Sequence, residues 1–150
     1  EGVLGGKTGY TEAAGNTLVT YARKNNLGLV CVVMKSINGA YSDTASLLDY
    51  GFQNFTRTAV RSDPDEISIS HFPAEKYILK DYKKTVLFKR TQTPSVVLPN
   101  GIDVSQITES RSMQKNSSGL PLLEITYSYN GQKTGSARYY QKILPSDLLS

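Results

Sequence analysis

The hydrophobic pattern changes period along the chain. Residues 15–23, Gly-Asn-Thr-Leu-Val-Thr-Tyr-Ala-Arg, partly alternate apolar with polar positions and predict a strand. Residues 27–35 form a near-continuous run, Leu-Gly-Leu-Val-Cys-Val-Val-Met-Lys, the pattern of a strand buried on both faces. Asn25-Asn26 supplies a turn between them. The spacing then becomes helical over residues 42–55. Leu48, Phe52 and Phe55 fall on one face, Ser42 serves as N-cap, and Asp43 sits in the first turn.

After Phe55 the character changes again. Thr56 to Glu66 is polar and contains the turn signal Asp63-Pro64-Asp65. From Ile67 onward short strand-like runs alternate with turns: residues 66–70, 85–90, 95–101, 105–110, 122–129 and 136–144. A short helix is expected over residues 145–150. This spacing predicts an all-β, sandwich-like second domain. The boundary is expected near Arg57, giving a first domain over residues 1–56 and a second over 57–150. The fold class is therefore α+β. No repeat of 20–50 residues is visible.

Composition narrows the picture. The 150 residues carry a net charge of +4, with 17 basic and 13 acidic side chains. Residues 57–150 hold the whole excess, with Lys83-Lys84 and Lys89-Arg90 close together. An excess of that sign suits a solvated face or an anionic membrane surface. It is too modest, and too bare of motifs, for nucleic acid. No apolar run reaches the ~20 residues of a membrane span. The first residue already lies inside a motif-like stretch, so the chain is expected to be a piece of a longer protein. Cys31, the single cysteine, excludes an internal disulfide and reads as a buried structural thiol. His71 has no partners at ligand spacing, so no metal site is expected.

Three short motifs remain. Gly6-Lys7-Thr8 is no phosphate loop: the position five before Gly6 is Glu1, and no apolar helix follows Thr8. Lys133-Thr134-Gly135 follows the strong hairpin signal Asn130-Gly131, so it reads as a turn and strand start with its lysine in solvent. Lys7-Thr8-Gly9 has wider context. Lys7 to Thr11, then Ala14-Gly15, then the apolar strand at Leu29–Met34, then Leu47 to Phe55 follow in order. Over residues 1–56 this set resembles the end of the catalytic domain of the D-alanyl-D-alanine carboxypeptidases, the low-molecular-mass penicillin-binding proteins. The β-rich remainder resembles their accessory domain.

The resemblance implies a remnant of a transpeptidase-like domain, of about three antiparallel strands and one helix. It also implies a serine peptidase that removes the terminal D-Ala from peptidoglycan stem pentapeptides through an acyl-serine intermediate. That enzyme would bind β-lactams, act in the bacterial cell envelope in maintaining wall and cell shape, and need no cofactor. A membrane-associating segment would lie outside this chain. Lys7 would supply positive charge and proton traffic, and Thr8 a hydroxyl to the substrate carboxylate. Gly9 would give room for a peptide along the strand edge, and the Tyr10 N–H would be an oxyanion donor. The family's Ser-x-x-Lys and Ser-x-Asn motifs precede this point. Ser112–Lys115 and Ser36–Asn38 match those patterns but follow Lys7-Thr8-Gly9, in the wrong order, and read as chance matches. No nucleophile is therefore expected in this chain, which alone should be inactive. Ala40 stands where the family often has a basic residue. The other reading is a non-catalytic wall-binding or membrane-proximal spacer module. Left alone, an uncovered face over residues 5–35 would favour self-association.

Overall fold

A computed structural model describes residues 2–61, 63–70 and 85–142. His71, Lys83-Lys84 and the helix expected over 145–150 lie outside the described residues. The chain divides into two compact units, Glu1–Arg57 with Val97–Ile102, and Thr58–Val96 with Asp103–Ser150.

The first unit is a three-stranded antiparallel sheet with one helix. The strands β1 (Val3–Thr11), β2 (Gly15–Lys24) and β3 (Leu27–Met34) lie in the order β1-β2-β3. Asn25 and Asn26 turn β2 into β3 with φ of 48° and 65°, the two-residue geometry that matches strand twist. Arg23 Nη2 donates to Asn26 Oδ1 at 2.7 Å across this turn. The helix α1 (Ala40–Asn54) covers one face of the sheet. Ala22, Cys31, Val33 and Leu48 form the core there, with Leu29, Ala40 and Phe52 packed against it. Cys31 is a free, buried thiol.

Two expectations are corrected here. The helix starts two residues before Ser42, because Gly39, at φ 101°, turns the chain at the N-cap without a side-chain cap. Ser42 lies inside the helix and accepts from Ser46 Oγ through its carbonyl, at 3.1 Å. Asp43 does sit in the first turn, where it accepts from Ser36 Oγ. Phe55 leaves the helix as its extended C-cap residue. β3, apolar on both faces, is buried on one, as expected for the chain left alone. Its residues alternate, with Cys31 and Val33 under α1 while Val30, Val32 and Met34 are 68%, 55% and 65% exposed. One helix covers one face.

The second unit is built from the remaining strands, two of which also run into the first unit, across Arg57 and Val97. β4 (Phe55–Ala59), β5 (Glu66–Ser70), β6 (Thr85–Arg90), β7 (Ser95–Pro99) and β10 (Gln132–Gln141) run β4-β7-β10-β6-β5. β9 (Pro121–Tyr129) pairs with β10, and β8 (Thr108–Lys115) with β9. These strands thus join into one hydrogen-bonded network. The junction is β10: it pairs with β9 along Gln132 to Tyr140, with β6 at Tyr139 to Gln141, and with β7 at Gly135. A Cβ at Gly135 would lie 2.4 Å from the Ser95 carbonyl oxygen, so only glycine lets β7 approach. Asn130 and Gly131, at φ 49° and 75°, make the expected hairpin turn. β4 takes in the last residue of the expected helix, Phe55, and the start of the polar stretch after it. β8 begins later than expected, after a 3₁₀ turn at Val104–Gln106 whose entry is capped by Asp103.

Polar groups knit this unit around the Asp63-Pro64-Asp65 turn. Arg90 donates to Asp65 Oδ1 from Nε at 3.0 Å and from Nη2 at 2.8 Å, and from Nη2 to the Asp63 carbonyl at 2.9 Å. Tyr139 Oη donates to the Pro64 carbonyl at 2.9 Å, and Tyr127 Oη donates to the buried Asp63 carboxylate. Burial, then the bonded Asp63 carboxylate, push the Tyr127 phenol far above its ordinary range. Burial also raises Tyr139.

Candidate active-site strand

β1 carries Lys7-Thr8-Gly9 and pairs with β2 alone among the described residues, so its other edge is open. All nine of its residues are exposed. Register decides what each side chain faces, since directly paired residues share a face. Thr8 pairs with Leu18, which is buried on the α1 side. Lys7 pairs with Val19, which pairs with Val32, and both valines are on the open face. The two side chains therefore leave the strand from opposite faces, and Lys7 reaches round its free edge to the groove side. Lys7 bends back, and its Nζ donates to the Thr8 carbonyl at 2.6 Å.

Close contacts bear on the glycines locally, with a side-chain hydroxyl at Gly9 and with backbone at Gly6. A Cβ at Gly9 would lie 2.7 Å from Thr17 Oγ1, and one at Gly6 would lie 2.8 Å from the Val19 carbonyl oxygen. Tyr10 pairs with Asn16 near the strand end and is 69% exposed.

Between β1–β2 and α1 lies a groove of about 490 Å³. Thr8, Lys7 and Leu18 line it from the sheet, and Tyr41, Thr44 and Leu48 from the helix. Sequence reasoning did not single out Tyr41 or Thr44. Their separation of three places both on one helix face, but only the packing of α1 across β1 brings that face to Thr8. Thr44 is 5% exposed, and its hydroxyl has no hydrogen-bond partner among the described residues. Ala40 packs against the core and does not line the groove.

The remaining motifs have structural settings. Ser112 and Lys115 lie on β8, where positions three apart point to opposite faces. Ser36 is spent on Asp43, and Ile37 beside it is 97% exposed. The Lys133 ammonium, expected in solvent, lies 3.7 Å from Glu124 Oε1, with its side chain 56% exposed. Arg138 and Gln114 engage the same buried carboxylate. The basic pair Lys89-Arg90 is likewise partnered: Lys89 sits 3.8 Å from Glu66, and Arg90 is buried against Asp65. Glu66 also accepts from Lys142 Nζ at 2.9 Å, which holds its carboxyl below the usual range. Among the described residues no helix is long and apolar enough to cross a membrane. Nor does any group of three or more His, Cys, Asp or Glu there suit a metal ion.

No family model and no curated protein matches the chain. Solved structures do. Penicillin-binding protein 5 from Haemophilus influenzae is similar over 90% of this chain, at 25% identity and a TM-score of 0.54. The D-alanyl-D-alanine carboxypeptidase from Francisella tularensis aligns with 95% at 20% identity and a TM-score of 0.46. Penicillin-binding protein 6B from Escherichia coli aligns with 92% at 20% identity and a TM-score of 0.43. The chain spans 40%, 37% and 33% of those three chains. It resembles penicillin-binding protein 5 across both of its units.

Proposed function

We propose that this chain is part of a serine D-alanyl-D-alanine carboxypeptidase of the bacterial cell envelope, contributing one wall of the active site and the β-rich second unit. The observation that carries the reading is the open edge of β1, with Lys7 and Thr8 on its two faces and glycines at Gly6 and Gly9. The likeness to penicillin-binding protein 5 supports it. The whole enzyme would cleave the terminal D-Ala of peptidoglycan stem peptides and be acylated by β-lactams.

The division of labour follows from position. An extended peptide pairs along the free edge of β1 through its main chain. Thr8, on the α1 side, offers its hydroxyl to the peptide's terminal carboxylate. Lys7 offers an ammonium at the free edge, where the serine bearing the acyl group would stand, and stabilises charge and moves protons there. The N–H of Tyr10 donates to the developing oxyanion. Proton transfer to and from the serine needs groups at that edge, so the acyl-serine step belongs to the assembled enzyme.

The chain alone should form no covalent adduct with a fluorescent penicillin, because Ser112 has Lys115 on the opposite face and Ser36 is held by Asp43. Intact-mass spectrometry reads this directly. An adduct on either serine would overturn the assignment of the nucleophile to another part of the protein.

A further inference from the structure

The groove beside β1 has a second wall. Tyr41 and Thr44 stand one turn apart on α1, facing Thr8 across the groove. The floor is apolar, with Leu18 and Leu48 both buried. No carboxylate lines it, so an anionic group entering it meets no like charge, while Lys7 stands at its edge. Hydroxyls on both walls suit a neutral or carboxylate oxygen, and small alkyl groups suit the floor. The volume falls within the ~300–1,000 Å³ of small-ligand sites. The buried Thr44 hydroxyl finds no partner among the described residues, although a helical threonine commonly bonds the carbonyl four residues back. A ligand group that reaches it would satisfy it.

We propose that Tyr41 and Thr44 are substrate-contact residues that form the α1 side of the site. They would hold the C-terminal end of a bound peptide whose small alkyl side chain rests on Leu18 and Leu48. The proposal rests on reading Lys7-Thr8-Gly9 as the peptide-binding strand. It adds two residues to that reading: the α1 wall contributes by hydrogen bonding.

The test uses the 150-residue chain, isotopically labelled, titrated to millimolar concentration with N-acetyl-D-Ala-D-Ala and, separately, N-acetyl-L-Ala-L-Ala. The D-dipeptide should shift the amide resonances of Thr8, Tyr41 and Thr44 together. Tyr41→Phe and Thr44→Val should each weaken binding about five- to tenfold, the scale of one neutral hydrogen bond. Tyr41 is 73% exposed, so its variant tests contact without disturbing the fold. Shifts confined to β1, with unchanged affinity in both variants, would overturn the α1 wall and leave the strand assignment standing. Equal binding of the L-dipeptide through the same residues would support the wall and overturn the D-Ala reading. No shift in β1 or α1 with either dipeptide would overturn both.

Discussion

Single residues set limits that differ sharply between glycines. An added Cβ at Gly9 meets only the Thr17 hydroxyl, at 2.7 Å, which can rotate away. At Gly6 and Gly135 it meets backbone carbonyl oxygens at 2.8 and 2.4 Å, which cannot move without breaking strand pairing. Thermal unfolding should therefore rank the alanine variants, with Gly9→Ala mildest and Gly135→Ala most severe. Tyr127 gives a pH prediction. Its phenol is raised above the ordinary 10.0 by burial and by Asp63, so it stays neutral in the fold while the unfolded chain ionises. The stability it contributes is complete below pH 10 and is lost as pH rises beyond it. Tyr127→Phe should cost about 1–3 kcal/mol at neutral pH, because Asp63 loses its partner. It should also flatten the alkaline fall seen in urea titrations. Glu109 is raised by burial and by Asp63, so what it contributes is present below 4.5 and fades as pH rises.

Elements differ in how far local sequence determined them. The β2–β3 and β9–β10 hairpins were legible, because Asn25-Asn26 and Asn130-Gly131 adopt the positive φ their turns require and the flanking residues carry the apolar pattern. β4 was not, since Thr56, Arg57 and Thr58 show no apolar alternation; its strand form comes from pairing with β7, far along the chain. The true start of α1 was hidden in the φ of Gly39, which leaves no mark beyond the glycine itself. At the site, Lys7-Thr8-Gly9 could be read directly, but Tyr41 and Thr44 face it only through packing of α1 on the sheet. That packing rests on few residues. Leu48→Ala removes the helix's main contribution to the core around Ala22, Cys31 and Val33, and should destabilise the first unit by about 2–5 kcal/mol. The loss should appear as early melting of resonances in residues 2–57, with those of the second unit lagging.

At the scale of the whole molecule, the open face of the first sheet is the largest departure from a sealed fold. Val19, Tyr21, Val30, Val32 and Met34 lie exposed on it, beside the free edge of β1. Apolar patches and open edges promote association. We expect concentration-dependent self-association of this chain by light scattering, suppressed by Val32→Lys. A monomer throughout the micromolar range would show that the face is tolerated in water. In the proposed enzyme the free edge of β1, with Lys7 reaching round it, is where the acylated serine would sit. The most direct measurement is therefore the rate of acylation by a fluorescent penicillin in the enzyme that contains this chain, comparing parent with Lys7→Ala. Loss of a preorganised charge should slow it by about a hundredfold to a thousandfold, with the fold intact by circular dichroism. Acylation of Lys7→Ala at the parental rate would contradict the assignment of β1 to the active site.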